Sequence, residues 1–347
     1  MGKTFSIRAQ LQGELIDFLN DSGIACIHIA EFVRDITCLL ASYREEDVPM
    51  FPDVFVLTDP ANLASISPGT ERVTIKAGIL LNTAAEPVLK NCASLAVKGW
   101  SVYIGKTGDN IAEYGLFRSA MHSFATTAEE MMIEQGEVPM VLVRNRGRLV
   151  VELRNSKNEM LTASFTSAQA AESPFAQQVS TFAETAASAL SGPQVHRFQQ
   201  YLSRLLTDLL QHCHGTLLMV HSVPQEDHAP EQLSSGVWLN KSVDLYNAYL
   251  SALDAQDADS LAKLSAYEVL LGGMIGSDGV VVFGDNGSVL GYRIFLKPTD
   301  DEKKALPEEG GGRRRTYALM QTRLGEQVKA TFFRSQDGYT ECERVQS

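Results

Sequence analysis

Residues 274–294 read MIGSDGVVVFGDNGSVLGYRI, and their punctuation sets the architecture of the second half of the chain. Before them, Leu261, Leu264, Tyr267, Leu270 and Leu271 recur at helical spacing, which predicts a helix over about 258–274 ending in Gly276-Ser277-Asp278-Gly279. VVVF then predicts a buried strand. Asp285-Asn286-Gly287 predicts a hairpin turn whose residues accept positive φ, and SVLGYRIFL the returning strand. Upstream, Phe198, Leu202, Leu205, Leu206 and Leu209 predict a helix over about 194–212, and Gly215 breaks the chain ahead of the strand TLLMVHS. A polar loop over 222–236 follows. Downstream, a charged loop over 299–309 enters Gly310-Gly311-Gly312-Arg313-Arg314-Arg315, and a helix runs from there to about Leu324. KATFFR, a turn at Ser335-Gln336-Asp337-Gly338 and YTECERV close the chain. This order predicts an α+β or α/β domain over 194–345, a mixed central sheet flanked by helices.

The first half reads as a separate α+β domain over 1–165. Its expected elements are an amphipathic helix over 5–20, a short strand IACIHI at 24–29 and a helix over 31–45. Strands DVFVLTD, RVTIKAGILL, WSVYIGK, MVLVRNRGRLVVELRN and MLTASF follow. Residues 166–193, rich in Ala, Ser, Thr and Gln, read as a helical linker built on Phe175, Val179, Phe182 and Ala186. No internal repeat stands out. Tyr103, Tyr114 and Arg118 read as ordinary packing and surface residues, and the first half offers no mechanism of its own.

The 347 residues suit two domains, at about 150 residues each, and 44% hydrophobic with 21% charged residues is the composition of a globular chain with ample core. A net charge of −12 argues against general binding to duplex nucleic acid, where affinity rests on neutralising many phosphates. No apolar run approaches the roughly 18 residues of a membrane span. The N-terminus lacks the continuous apolar core of a leader peptide. Gly2 and Ser6 loosely match a myristoylation start, against which bulky neighbours and the lack of a second anchor weigh. Cys26, Cys38, Cys92, Cys213 and Cys342 are odd in number and form no C-x-x-C, so the expectation is reduced thiols in a cytoplasmic protein.

Chemistry concentrates in the second half. Glycines before Arg313-Arg314-Arg315 let a ligand approach the backbone, and three arginines at the positive end of a helix dipole, each unfavourable there by about 0.3–1 kcal/mol, suit an anion such as phosphate. Pairing of these arginines with Asp300, Asp301, Glu308 and Glu309 is the competing structural role. Ser277-Asp278-Gly279 offers a carboxylate for a metal or a sugar hydroxyl, or simply turn chemistry. His212-Cys213-His214, with His221 and His228, lacks the spacing of a zinc site and reads as a helix end. Walker-type, nucleophile-elbow and H-E-x-x-H patterns are absent.

Taken together, residues from about 195 to 345 resemble the catalytic domain of diadenylate cyclases, enzymes that join two ATP into cyclic di-AMP. Four segments in order carry the likeness: Gly215-Thr216-Leu217-Leu218-Met219-Val220, Met274 to Val282 around Asp278-Gly279, Arg313-Arg314-Arg315-Thr316, and Ser335-Gln336-Asp337. The resemblance implies that Asp278 serves the attacking hydroxyl and, with Asp337, a Mn or Mg ion. It also implies that Gly311, Gly312, Arg313, Arg315 and Thr316 border the phosphates, with Ser277, Gly279 and Ser335 beside them. Departures from the family pattern are Val280 in place of a small Ala, Arg314 in place of His, and Gln336 in place of the first Glu of its acidic pair. Loss of a carboxylate weakens a hard-cation site, while added arginine strengthens phosphate binding. That pattern is similar to the degenerate, cyclase-derived sensor domains of prokaryotic conflict systems.

The expectation is therefore a sensor of a cyclic dinucleotide or an ATP- or AMP-type ligand in bacterial signalling or anti-phage defence, passing its state to a protein partner in trans and open to homo-oligomerisation. The alternatives are an active diadenylate cyclase, in which two copies would face each other, and an adaptor that binds no ligand.

Overall fold

The structure, a computed structural model, describes residues 7–24, 26–67, 71–97, 99–119, 126–147, 149–165, 175–211, 213, 215–222, 233, 235–255, 257–305, 311–325, 327–336 and 338–345. The chain forms two compact units, Met1–Ala170 and Ala171–Ser347.

In the first unit, α1 (Ile7–Asp21) precedes α2 (Ile27–Leu40). The run IACIHI does not form the expected strand: Cys26 is the N-cap of α2 and Ile27 to Ile29 its first turn. A six-residue apolar run carries no period of its own, and Phe32, Val33, Ile36 and Leu40 extend its pattern at helical spacing, so the helix prevails. A small hairpin of β1 (Arg44–Glu45) and β2 (Val48–Pro49) leads to β3 (Val54–Leu57), α3 (Leu63–Ile66), β4 (Arg72–Leu80), α4 (Ala85–Cys92), β5 (Trp100–Lys106) and β6 (Ile111–Arg118). Then come α5 (Ala128–Gln135), β7 (Met140–Gly147), β8 (Val150–Asn155) and β9 (Met160–Ser164). The sheet order is β4-β6-β5-β3-β7-β8-β9, with β3 parallel to β5 and all other neighbours antiparallel. Strand residues of alternate parity serve opposite faces. Val54, Val56, Val102, Ile104, Val141 and Val143 pack with α1, α2 and α4, whereas Phe55, Leu57, Tyr103, Met140 and Leu142 pack with α3 and α5.

The second unit opens with α6 (Phe175–Ala186) and α7 (Val195–Gln211), then β10 (Thr216–His221), β11 (Val237–Asp244), α8 (Leu245–Ala255) and α9 (Ala258–Ile275). The hairpin of β12 (Val280–Gly284) and β13 (Ser288–Ile294) follows, then α10 (Asp300–Ala305), α11 (Gly312–Gln321), β14 (Val328–Arg334) and β15 (Thr340–Arg344). In the hairpin turn only Gly287 takes a positive φ, 75°, and the Asn286 side chain instead accepts a hydrogen bond from the Ser288 hydroxyl at 2.6 Å. The helix expected within 166–193 forms as α6 and belongs to this unit's core. Its Phe182, fully buried, meets Phe283 and Phe332 edge-on at centroid distances of 5.5 and 6.0 Å.

The sheet order here is β11-β13-β12-β10-β14-β15, with β10 parallel to β12 and the other neighbours antiparallel. This is the connectivity of the first unit strand for strand. Two helices enter the central strand (β3, β10). The second strand lies at the far edge (β4, β11). A helical segment leads to the parallel neighbour and its hairpin partner (β5–β6, β12–β13). A further helix (α5, α11) leads to a second hairpin (β7–β8, β14–β15). The core repeats too: Leu217, Met219, Val280, Val282 and Phe333 pack with Tyr317 and Met320 of α11, as the corresponding face of the first sheet packs with α5. A repeat that is silent in the sequence is thus explicit in the topology, and the α+β region without an assigned role is a second copy of the same architecture with one added edge strand, β9.

Candidate functional site

Strand directions bring the sequence-singled segments of the second unit to one end of its sheet. Leu217 pairs with Val280 in parallel register, so the starts of β10 and β12 lie side by side. Arg334 lies opposite Thr216 in the antiparallel partner, which places the turn at Ser335 at the same end. Ile294 pairs with Val280, so β13 finishes there as well.

Gly215 sits at the centre of this end. Its φ is 97°, and a Cβ at this position would lie 2.9 Å from the Arg334 carbonyl oxygen, 3.2 Å from Arg313 Nη1 and 3.2 Å from the Gln336 amide nitrogen. Only glycine allows that approach. The guanidinium of Arg313, in the first turn of α11, therefore reaches over the start of β10. Cys213 records the same convergence: burial pushes its thiol up, while the Gly215 backbone and the charges of Arg334 and Arg313 pull it the other way. Gly311 and Gly312 are exposed with open space around their α-carbons, so the backbone at the head of α11 is approachable. Gly311 is the N-cap, and its carbonyl accepts from the Arg314 and Arg315 amides at 3.0 and 3.2 Å. Arg313, Arg314 and Arg315 are all exposed, and the Arg314 guanidinium lies 5.7 Å from the centroid of the Tyr339 ring. Thr316 turns inward along the helix, its hydroxyl donating to the Gly312 carbonyl at 3.0 Å.

The Asp278 carboxylate is exposed beside this end of the sheet. Ser277 is engaged structurally, its hydroxyl donating to the Met274 carbonyl at 2.7 Å at the close of α9. Gly279, at φ 92°, would place a Cβ 2.9 Å from the Arg293 α-carbon, and Gly236, at φ 139°, one 2.7 Å from the Arg293 carbonyl oxygen. Two glycines thus hold the backbone of exposed Arg293, itself at φ 54°, in the left-handed region. Ser335 closes its own turn: its hydroxyl oxygen accepts from the Tyr339 amide at 2.8 Å.

Sequence reasoning missed Arg334 and Arg293. Arg334 ends the apolar strand KATFFR, where its buried guanidinium lies 5.3 Å from the centroid of the Phe175 ring, and only its charge in an apolar run hinted at a role. No signal in the sequence marks the strained backbone of Arg293.

Asp337, the second expected metal ligand, lies outside the described residues, as do His212, His214, His228 and Gly310. Among the described residues no three His, Cys, Asp or Glu side chains are grouped as a metal site would require, so Asp278 has no described partner set for the Mn or Mg that the resemblance implies. The His221 ring Nδ1 lies 2.6 Å from the Ser222 carbonyl oxygen, a structural contact. All five cysteines are free thiols. No helix among the described residues is long and apolar enough to cross a membrane.

The corresponding place in the first unit, at the start of β3, the first turn of α5 and the middle of β7, where Val143 lies opposite Val54, has a different character. Arg144 Nη2 pairs with Glu129 at 2.5 Å, and its Nε lies 3.9 Å from both Asp53 and Glu152. Arg146 pairs with Glu152 at 2.8 Å, and Arg154 lies 3.4 Å from Glu129 and 3.7 Å from Glu152. Burial would raise the Glu129 carboxyl, but the Arg144 guanidinium outweighs it and holds the group below the ordinary glutamate range.

Compared with known protein families, curated proteins and solved structures, the chain matches none of them.

Proposed function

We propose that the second unit is a nucleotide sensor that binds a cyclic dinucleotide or an ATP- or AMP-type ligand at the end of its sheet between Asp278-Gly279, Gly215 and the head of α11. The observation that carries this reading is the Arg313 guanidinium held over Gly215, where the starts of two parallel strands and a helix N-terminus meet. A phosphate there meets a dipole of the favourable sign and guanidinium groups that match its oxygens in pairs. The exposed Asp278 carboxylate is the complementary acceptor for a ribose hydroxyl. The order of segments that resembles diadenylate cyclases supports a nucleotide over a simple anion, and a cyclase-like fold for this unit belongs to the same proposal. Arg314 and Gln336 at positions where that family carries proton-transfer and metal-binding groups favour recognition over synthesis. With binding as its activity, the unit transmits its state to a protein partner in trans, and a symmetric homo-oligomer is the natural frame for a cyclic, two-fold ligand.

The test is a thermal-shift panel of ATP, AMP, cyclic di-AMP and other cyclic di- and trinucleotides, with and without Mn²⁺, followed by chromatography of each mixture. A sensor gives a shift with the ligand unconsumed, growing as RT ln(1 + [L]/Kd), and Arg314→Ala abolishes it. Conversion of ATP to a cyclic product would establish an active cyclase instead. Silence toward every nucleotide, with stable complexes to another chain, would establish an adaptor.

A further inference from the structure

The duplicated connectivity gives an internal control for the anion site. In each unit the residue immediately before the central strand, the second residue of the helix that precedes the second hairpin, and the stretch of that hairpin's first strand opposite the start of the central strand come together. In the second unit these are Gly215, Arg313 and the segment from Arg334 to Gln336. In the first they are Asp53, Glu129 and Arg144, joined by ion pairs.

We infer that the first unit is a self-occupied copy of the anion site, in which the Glu129 carboxylate, carried at the place of Arg313, neutralises Arg144 and keeps phosphate compounds out. The inference rests on the reading of the Gly215–Arg313 place as an anion site. Its support is charge and position. Asp53, Glu129 and Glu152 face Arg144, Arg146 and Arg154, three carboxylates against three guanidiniums, so the cluster is already neutral. The Arg144 side chain is only 11% exposed and grips Glu129 closely, so an incoming phosphate would have to displace a carboxylate tethered to the chain. Glu129 also sits in the first turn of α5, the position at which a helix favours an anion, as Arg313 sits in the first turn of α11. The carboxylate satisfies both the arginine and the helix.

Removing Glu129 leaves the cluster one positive charge in excess and opens the space its side chain fills. The experiment uses the full chain with Arg313→Ala and Arg314→Ala, which silences the second unit, and inorganic pyrophosphate at low ionic strength as the probe. That background is expected to show no pyrophosphate-dependent rise in Tm, and adding Glu129→Ala is expected to create one of about 3–6 °C at tenfold excess over Kd. Asp53→Ala, which makes the same charge change through a looser 3.9 Å contact, is expected to give a smaller rise and decides the matter if the Glu129 variant fails to fold. A folded Glu129→Ala or Asp53→Ala chain with no response to pyrophosphate overturns the inference. Failure of the nucleotide proposal is read separately, in the unaltered chain, which would then ignore every nucleotide while the Glu129→Ala arm still reports on the first unit.

Discussion

The two units put one connectivity to opposite electrostatic use. Each threads two helices into a central strand, sends the next strand to the sheet edge and returns through a parallel neighbour. At the matching end of the sheet, the first unit closes on itself with Arg144 held by Glu129, Asp53 and Glu152, whereas the second presents a glycine, a helix head and exposed arginines. The comparison teaches that the fold sets where a site lies and a few side chains set whether it is open.

The largest effect tests whether α6 begins the second copy as α1 begins the first. Phe182 is fully buried between Phe283 and Phe332, so Phe182→Ala is expected to destabilise the second unit by about 3–5 kcal/mol in a urea titration. A helix that merely linked the two units would give almost no change, and the helix-for-helix correspondence would fail. Next comes Arg144→Met. It takes a shared guanidinium from three carboxylates, of which Glu129 keeps Arg154 and Glu152 keeps Arg146 and Arg154, and with Asp53 41% exposed the expected cost is about 2 kcal/mol, below the range for a fully buried pair. Arg314→Ala, at an exposed position in the second unit, should stay within about 0.5 kcal/mol without ligand. Equal costs for the two would mean that both arginine clusters are structural.

Much of this architecture was legible in the sequence. The Asp278-Gly279 junction, the Asn286-Gly287 hairpin, α7, α9 and the strands β3, β4, β5, β7 to β10 and β12 to β15 follow from periodicity and turn residues. The 24–29 stretch failed because its apolar run fits either period and the residues that resolve it lie downstream. The helix α5 was overlooked although Thr127 and Glu130 form a reciprocal cap, with Glu130 receiving the Thr127 amide at 2.8 Å, and this cap is a readable signal. The strand β11 and helix α8 fall in 237–257, between the polar loop and the helix expected from 258, where no element is read, since an edge strand with little buried surface has no clear alternation. The duplication stayed hidden because topology conserves order and register, not residue identity: Glu129 and Arg313 hold the same place with opposite charge. At the site, Gly215 gave only a chain break in the sequence, and its meaning came from Arg313 and Arg334, which lie about a hundred residues further on.

Acid should separate the units further. The Glu129 carboxyl is held below its unfolded value near 4.3, so its contribution is fully present above that value and is lost as pH falls through the lower, folded one. Asp53 in the same cluster carries the opposite sign, because burial raises its carboxyl, so the difference between two chains is the test: with the urea midpoint followed against pH, the Glu129→Ala chain should lose less stability than the unaltered chain below about pH 5. Equal slopes in the two chains would mean that Glu129 is not the group whose protonation weakens the cluster.

The smallest effect has the sharpest sign. In α5 the first turn is acidic and favourable: Glu130 completes a capping box with Thr127, and Glu130→Ala should cost about 0.5–1 kcal/mol. In α11 the first turn is basic and opposes the dipole, so Arg315→Ala should raise the stability of the ligand-free chain by a few tenths of a kcal/mol. The same substitution should weaken nucleotide binding, measured by calorimetry, because the charge that the helix tolerates poorly is the one the phosphate requires. If Arg315→Ala lowered stability instead, Arg315 would be held by a group within the chain and its charge would not serve a ligand.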